Sequence, residues 1–181
     1  MTIHHRSAAR RAGAALALVL LAACGGSGVA GVEGASSSLP KGVSAVAADA
    51  RIPMPPPQDL ACQSASIRKV FRDVSEWNGY WQHSFPEQCP DPQLPADFDW
   101  SREQVVLVAM GRRDSAADSI QVQGTGVVGD SMLIVVRRTT RQDGCTEPET
   151  RTWPRDLVRV PASQSPAKFV EQQVKRPCEA A

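Results

Sequence analysis

Few residues of this chain are of a type and spacing that could do chemistry. Beyond the N-terminal His4-His5 pair the only imidazole is His83. A Ser-His-Asp triad needs one histidine, so the count alone leaves acyl transfer open. No G-x-S-x-G, H-E-x-x-H or reactive-cysteine context accompanies it. Its place at the end of a predicted helix reads as a solvated or helix-capping side chain. Asp97 and Asp99 are close enough for paired-carboxylate or Ca²⁺ chemistry. An EF-hand-type loop would need further ligands and a glycine at set offsets; these are missing, so both read as loop acids. Gly124-Thr125-Gly126-Val127-Val128-Gly129 matches G-x-G-x-x-G letter for letter. That pattern binds a pyrophosphate only where a helix N-terminus follows it. Asp130-Ser131 and a β-rich run follow instead, so the glycines read as bends within a hairpin. Arg112-Arg113 and Arg137-Arg138 with Arg141 form basic spots, balanced by Asp114, Asp118 and Glu147. They could dock an acidic partner surface, although solvated strand ends are the commoner outcome. No catalytic, cofactor-binding or metal-ligating residue is assigned.

The thiol with the clearest expected chemistry is Cys24, directly after Leu21-Ala22-Ala23. Arg6, Arg10 and Arg11 precede an apolar run from Ala12 to Ala23. A charged head, apolar middle and small-residue exit read as a signal peptide over 1–23. The run is 12 residues, short of the ~20 a spanning helix needs. Leu-Ala-Ala-Cys resembles the bacterial lipobox, in which the thiol is diacylated and the chain is cut before it. An ordinary signal peptide with a chance cysteine is the alternative. Acyl chains contribute about 0.8 kcal/mol per buried CH₂, and two or three anchor stably where one does not. Gly25, rather than Asp, follows the acylated residue; in a Gram-negative cell this resembles outer-membrane sorting. The expected location is therefore the bacterial cell envelope, facing periplasm or surface.

Cleavage would leave 158 of the 181 residues, enough for one domain. Losing three arginines leaves 17 basic against 19 acidic residues, a net of −2. Such a balance gives no electrostatic reason to expect nucleic acid, and no polybasic patch to aid membrane attachment. Of five cysteines, four remain once Cys24 is acylated: Cys62, Cys89, Cys145 and Cys178. Their spacings of 27, 56 and 33 contain no short C-x₂₋₄-C knuckle of the zinc type. Two disulfides in an oxidising compartment fit better. Three pairings are open, with a lean toward Cys62–Cys89 and Cys145–Cys178.

The elements that would position these residues begin late in the chain. Residues 24–60 read as a flexible linker, from Gly25-Gly26-Ser27-Gly28 to Pro53-Met54-Pro55-Pro56-Pro57. Small residues bury too little apolar surface to offset ordering entropy, and the prolines favour an extended form. A folded domain is expected over 61–181. Ser66–Arg72 alternates as a strand. Asp73-Val74-Ser75-Glu76 resembles a capping box, with Val74, Trp77 and Trp81 at helical spacing to about Ser84. Pro86 ends that helix, and a strand out followed by a helix back would bring Cys89 near Cys62. Gln104–Met110 is apolar on both faces, as a central strand requires. Ser119–Gln123 alternates, and Gly129-Asp130 turns into Met132–Val136. Asp143-Gly144 marks another turn. Leu157–Val160 extends a strand made edge-like by Pro154, and Phe169-Val170 with Val174 suggests a last short strand. Trp77, Tyr80, Trp81, Trp100 and Trp153 are large anchors. The fold class is α+β: a mostly antiparallel sheet with one packed helix, behind a disordered tether.

From Asp97 onward the order of segments resembles the C-terminal domain family of the protease-complex subunit PrcB. The resemblance rests on Asp97-Phe98-Asp99-Trp100-Ser101 leading into Val105–Gly111 and on Ser119-Ile120-Gln121-Val122 opening a hairpin. Trp153-Pro154 and Leu157-Val158-Arg159-Val160-Pro161 stand at the family's aromatic-Pro and apolar-Pro ending. Glu76-Trp77 and Trp81 resemble its upstream helix. The loop Asp114-Ser115-Ala116-Ala117-Asp118 departs from the family, lacking Gly-Gly-aromatic before the hairpin. The resemblance implies a small β-rich accessory domain associated with assembly of a surface protease complex, and transfers no catalytic residue.

The expected function is thus a non-catalytic envelope lipoprotein, held to the membrane by acyl chains on Cys24, that binds or stabilises another envelope or secreted protein. The alternatives are an inhibitor of an extracellular hydrolase, such as a protease or lysozyme, and a hydrolase using His83.

Overall fold

A computed structural model describes residues 38–54, 65–84, 91–145 and 149–178, and of His83 and Ser84 the backbone only. Its strands are β1 (Ser44–Ala45), β2 (Ser66–Phe71), β3 (Glu103–Met110), β4 (Ser119–Val128), β5 (Ser131–Arg141), β6 (Arg155–Pro161) and β7 (Ala167–Arg176), with one helix, α1 (Val74–Ser84). They form two sheets, ordered β1-β4-β5-β7 and β2-β3-β6. Every neighbouring pair is antiparallel except β5 and β7, which run parallel. An α+β domain with mostly antiparallel strands is therefore what the chain folds into. Among the described residues no helix is long and apolar enough to cross a membrane.

Alternation along β3 explains the layering. Val106, Val108 and Met110 face the other sheet, meeting Ile120 and Val122 of β4 and Met132, Ile134 and Val136 of β5. Val105 and Leu107 point the opposite way, into a second cluster with Phe71, Trp77, Trp81 and Leu157. All four of Val105, Val106, Leu107 and Val108 are completely buried, each contributing roughly 1.5–3 kcal/mol of apolar transfer. A strand sandwiched on both faces needs the unbroken apolar run that Val105–Met110 supplies.

Helix α1 covers the outer face of the three-stranded sheet. Asp73 Oδ1 accepts from the Glu76 N–H at 2.8 Å, and Glu76 Oε2 accepts from the Arg72 N–H at 2.9 Å. The first bond satisfies an orphan donor of the first turn, and the second ties the end of β2 to the helix start. Trp77 and Trp81 are buried, whereas Val74 is 52% exposed and leaves the aromatic face. Phe71 stacks edge-on against Trp77 at 5.2 Å and Tyr80 at 5.1 Å. Trp77 meets Trp81 at 5.3 Å, and the 91–100 loop adds Phe98 and Trp100, 4.7 Å apart. Lys69 Nζ lies 5.3 Å from the Phe71 ring centre. Each such ring pair contributes about 0.5–1.5 kcal/mol beyond its burial.

Several expectations need correction. The linker assigned to 24–60 does not extend through 38–54. β1 pairs with β4, Arg51 bridges to Val158 on the free edge of β6, and Ile52 is 3% exposed with its N–H donating to the Leu157 carbonyl at 2.8 Å. Small residues earn their place there by fitting close to a sheet rather than by burying large area. The glycine motif is not a set of bends. Gly124 and Gly126 lie within β4, just after a bulge that displaces Gln123 from the ladder. A Cβ on Gly124 would stand 2.7 Å from the Ser44 carbonyl oxygen, and one on Gly126 would overlap the Gly42 carbonyl oxygen. Only Gly129, at φ +58°, makes the turn into β5. The last strand is ten residues long rather than short, and β5 reaches Arg141.

Cys145 and Cys178 are disulfide-bonded, with Cα atoms 5.3 Å apart. They tie the turn after β5 to the end of β7. Cys24, Cys62 and Cys89 lie outside the described residues, as do the signal segment, Pro86 and Glu147.

Candidate functional site

Asp97 and Asp99 sit beside the start of β3. Asp99 Oδ1 accepts from the Ser101 N–H at 2.9 Å and its hydroxyl at 2.7 Å. In return Glu103 Oε2 accepts from the Asp99 N–H at 3.3 Å. This is a self-closing turn of the kind aspartate favours. Asp97 Oδ2 accepts from the Arg159 guanidinium at 3.1 Å, and Glu103 stands 3.9 Å from the same group. Hydrogen bonding from Arg159 holds the Asp97 carboxyl below its usual range. Hydrogen bonding from the Ser101 side chain and N–H does the same for Asp99. Arg159 is raised in turn, first by its bond to Asp97. Both carboxylates are anions near neutral pH, as ordinary aspartates are, and suit complementing charge rather than shuttling protons.

These residues line a cleft of about 620 Å³ closed on one side by Asp49 and Ala50. It carries four acids, Asp49, Asp97, Asp99 and Glu103, against Arg102 and Arg159. Among the described residues no group of three or more His, Cys, Asp or Glu is placed to hold a metal ion.

A second cleft, of about 410 Å³, opens past the other end of β3. Its walls come from the loop after β3, with Arg112, Arg113, Asp114 and Asp118, and from the ends of β5 and β7. Here cations outnumber acids, five to three. At about 3.4 Å per residue, the eight residues of β3 set the two clefts roughly 24 Å apart. The domain therefore presents an acidic end and a basic end.

The structure brings some sequence candidates together and separates others. Arg112, Arg113, Arg138 and Arg141 converge on the basic cleft. Arg137 alternates to the other face of β5, where it pairs in register with Gln121 and Gln172. Trp77 and Trp81 are core residues, and Trp100 and Trp153 are half-buried, so no exposed tryptophan pair marks an interface. His83 falls in the last turn of α1. Sequence reading missed Asp49, Glu103, Arg159, Gln173 and Lys175. Arg159 did carry a signal, as a cation interrupting the apolar run Leu157-Val158-Arg159-Val160.

No protein-family model, curated protein or solved structure matches this chain.

Proposed function

We propose that this protein is a non-catalytic lipoprotein of the bacterial cell envelope whose domain binds or stabilises another envelope or secreted protein. The supporting sequence feature is Leu21-Ala22-Ala23-Cys24 behind an arginine-led apolar segment, which would make Cys24 the acylated residue. The observation that carries the binding role is an open cleft that gathers Asp49, Asp97, Asp99 and Glu103 against Arg102 and Arg159. Charges pinned by their own neighbours steer and register a complementary surface, which is how electrostatics serves association. The PrcB-like order of segments suggests a surface protease complex as the partner class.

Crosslinking in intact cells, followed by purification of the full chain from membranes, tests the role. A stoichiometric protein partner is expected, and its recovery should fall when Asp97 and Arg159 are exchanged for Asn and Gln. Repeated recovery of the monomer alone would overturn the proposal. The anchor is tested separately: Cys24→Ser should abolish acyl labelling and release the protein from the membrane fraction.

A further inference from the structure

We propose that the basic cleft is a binding site for a small dianionic oxyanion of the phosphate or phosphate-monoester type. This stands apart from the protein-binding role, which rests on the acidic end.

Three of the cleft's cations already have acids. Arg113 Nε donates to Asp118 Oδ2 at 2.5 Å, Lys175 Nζ to Asp143 at 3.2 Å, and Arg112 more weakly to Asp114 at 3.4 Å. Arg138 and Arg141 form no ion pair within the described residues. Two surplus positive charges remain, matching a doubly charged anion. Arg138 and Arg141 both line the cleft, so their charge is available to a ligand there.

The wall opposite is held rigid, as a preformed site requires. Ser115 is 4% exposed; its carbonyl accepts from the Thr152 hydroxyl at 3.0 Å and its own hydroxyl from the Ala117 N–H at 3.1 Å. Asp118 Oδ1 accepts from the Arg141 N–H at 3.3 Å, tying the loop to β5. Arg113, committed through Nε to Asp118, also lines the cleft. Thr140 adds a hydroxyl to the lining. Guanidinium groups pair bidentately with phosphate oxygens, which suits this lining to such an anion.

Isothermal titration of the full chain in non-ionic detergent with inorganic phosphate tests this, with chloride at matched ionic strength as control. Saturable phosphate binding is expected, weakened at least tenfold in R138Q. Should R138Q not fold, R141Q is expected to weaken binding in the same direction. Glycerol phosphate, and vesicles of phosphatidic acid against phosphatidylcholine, distinguish a free phosphate from a lipid headgroup, and binding in either arm supports the site. Equal response to phosphate and chloride, unchanged affinity in a folded R138Q, or tighter binding of a polyglutamate peptide than of any phosphate would overturn it.

Discussion

Arg51 and Asp156 form an ion pair across 105 positions of sequence, and the pair closes on the backbone of a third residue, Val122. Asp156 Oδ2 accepts from the Val122 N–H at 2.8 Å, and Arg51 donates to the Val122 carbonyl at 3.1 Å. Val122 is the last residue before the β4 bulge, where the ladder to β5 is interrupted. One carboxylate on β6 and one guanidinium from the N-terminal segment thereby join both sheets at their irregular edge.

Asp156→Ala should destabilise the domain by about 2–3 kcal/mol, because it leaves a partly buried guanidinium without its carboxylate and the Val122 N–H without its acceptor. Arg51→Ala removes the same network from the other side. Denaturant midpoints for both single variants and the double variant check this, with the double costing clearly less than the sum. Strict additivity would show that the two residues act independently.

Gly126→Ala should detach the 42–45 segment, since its Cβ would occupy the space of the Gly42 carbonyl oxygen. A loss of about 1–3 kcal/mol is expected from the forced backbone shift. Hydrogen exchange is the more specific readout: the Val46 amide, which donates to the Gln123 carbonyl at 3.0 Å, should lose protection while β3 amides keep theirs.

Reducing the Cys145–Cys178 bond, or replacing both cysteines with serine, opens a loop closed over a separation of 33 residues. Chain entropy alone gives a loss of about 3–4 kcal/mol. Thermal unfolding of the serine variant against the oxidised parent measures it.

Tyr80 is the single tyrosine of the chain, so absorbance near the phenolate band reports it alone. Burial among the aromatic rings pushes its hydroxyl up to about 12 from the ordinary 10.0. For a group raised on folding, the stability it lends is complete below the unfolded value and disappears as pH rises through the folded one. Unfolding free energy should therefore fall between pH 10 and 12, and Tyr80→Phe should flatten that fall.

Asp97 and Asp99 predict the opposite slope at low pH. Their carboxyls are depressed on folding, so their contribution is present above the ordinary value of 3.8 and lost as pH falls through the folded values. Asp97→Asn should reduce the acid-side loss of stability, measured by denaturant midpoint from pH 5 downward.

Much of the local structure was legible because it depends on neighbours in sequence. Asp73 and Glu76 announce a helix start through side chains three residues apart, and Val105–Met110 announces a central strand by being apolar at every position. Gly129-Asp130 sets a turn through its own backbone. The Ala/Val-rich 38–54 segment carried no such signal, because its order comes from pairing with β4 and β6 rather than from any periodicity of its own. The same holds for the functional ends. Asp97 and Asp99 were visible as acids, but Arg159, which pairs with one of them, lies 62 positions away.

Composition and short-range spacing by themselves determined an α+β domain, its helix and its central strand. Tertiary structure alone decided that β7 runs parallel to β5, that Gly124 and Gly126 make room for a crossing chain, and that charge separates to opposite ends of the sandwich. The physical reason is range. Helix caps, turns and strand alternation are written within a few residues, whereas sheet order, close backbone approach and ion pairing depend on segments that only folding brings together.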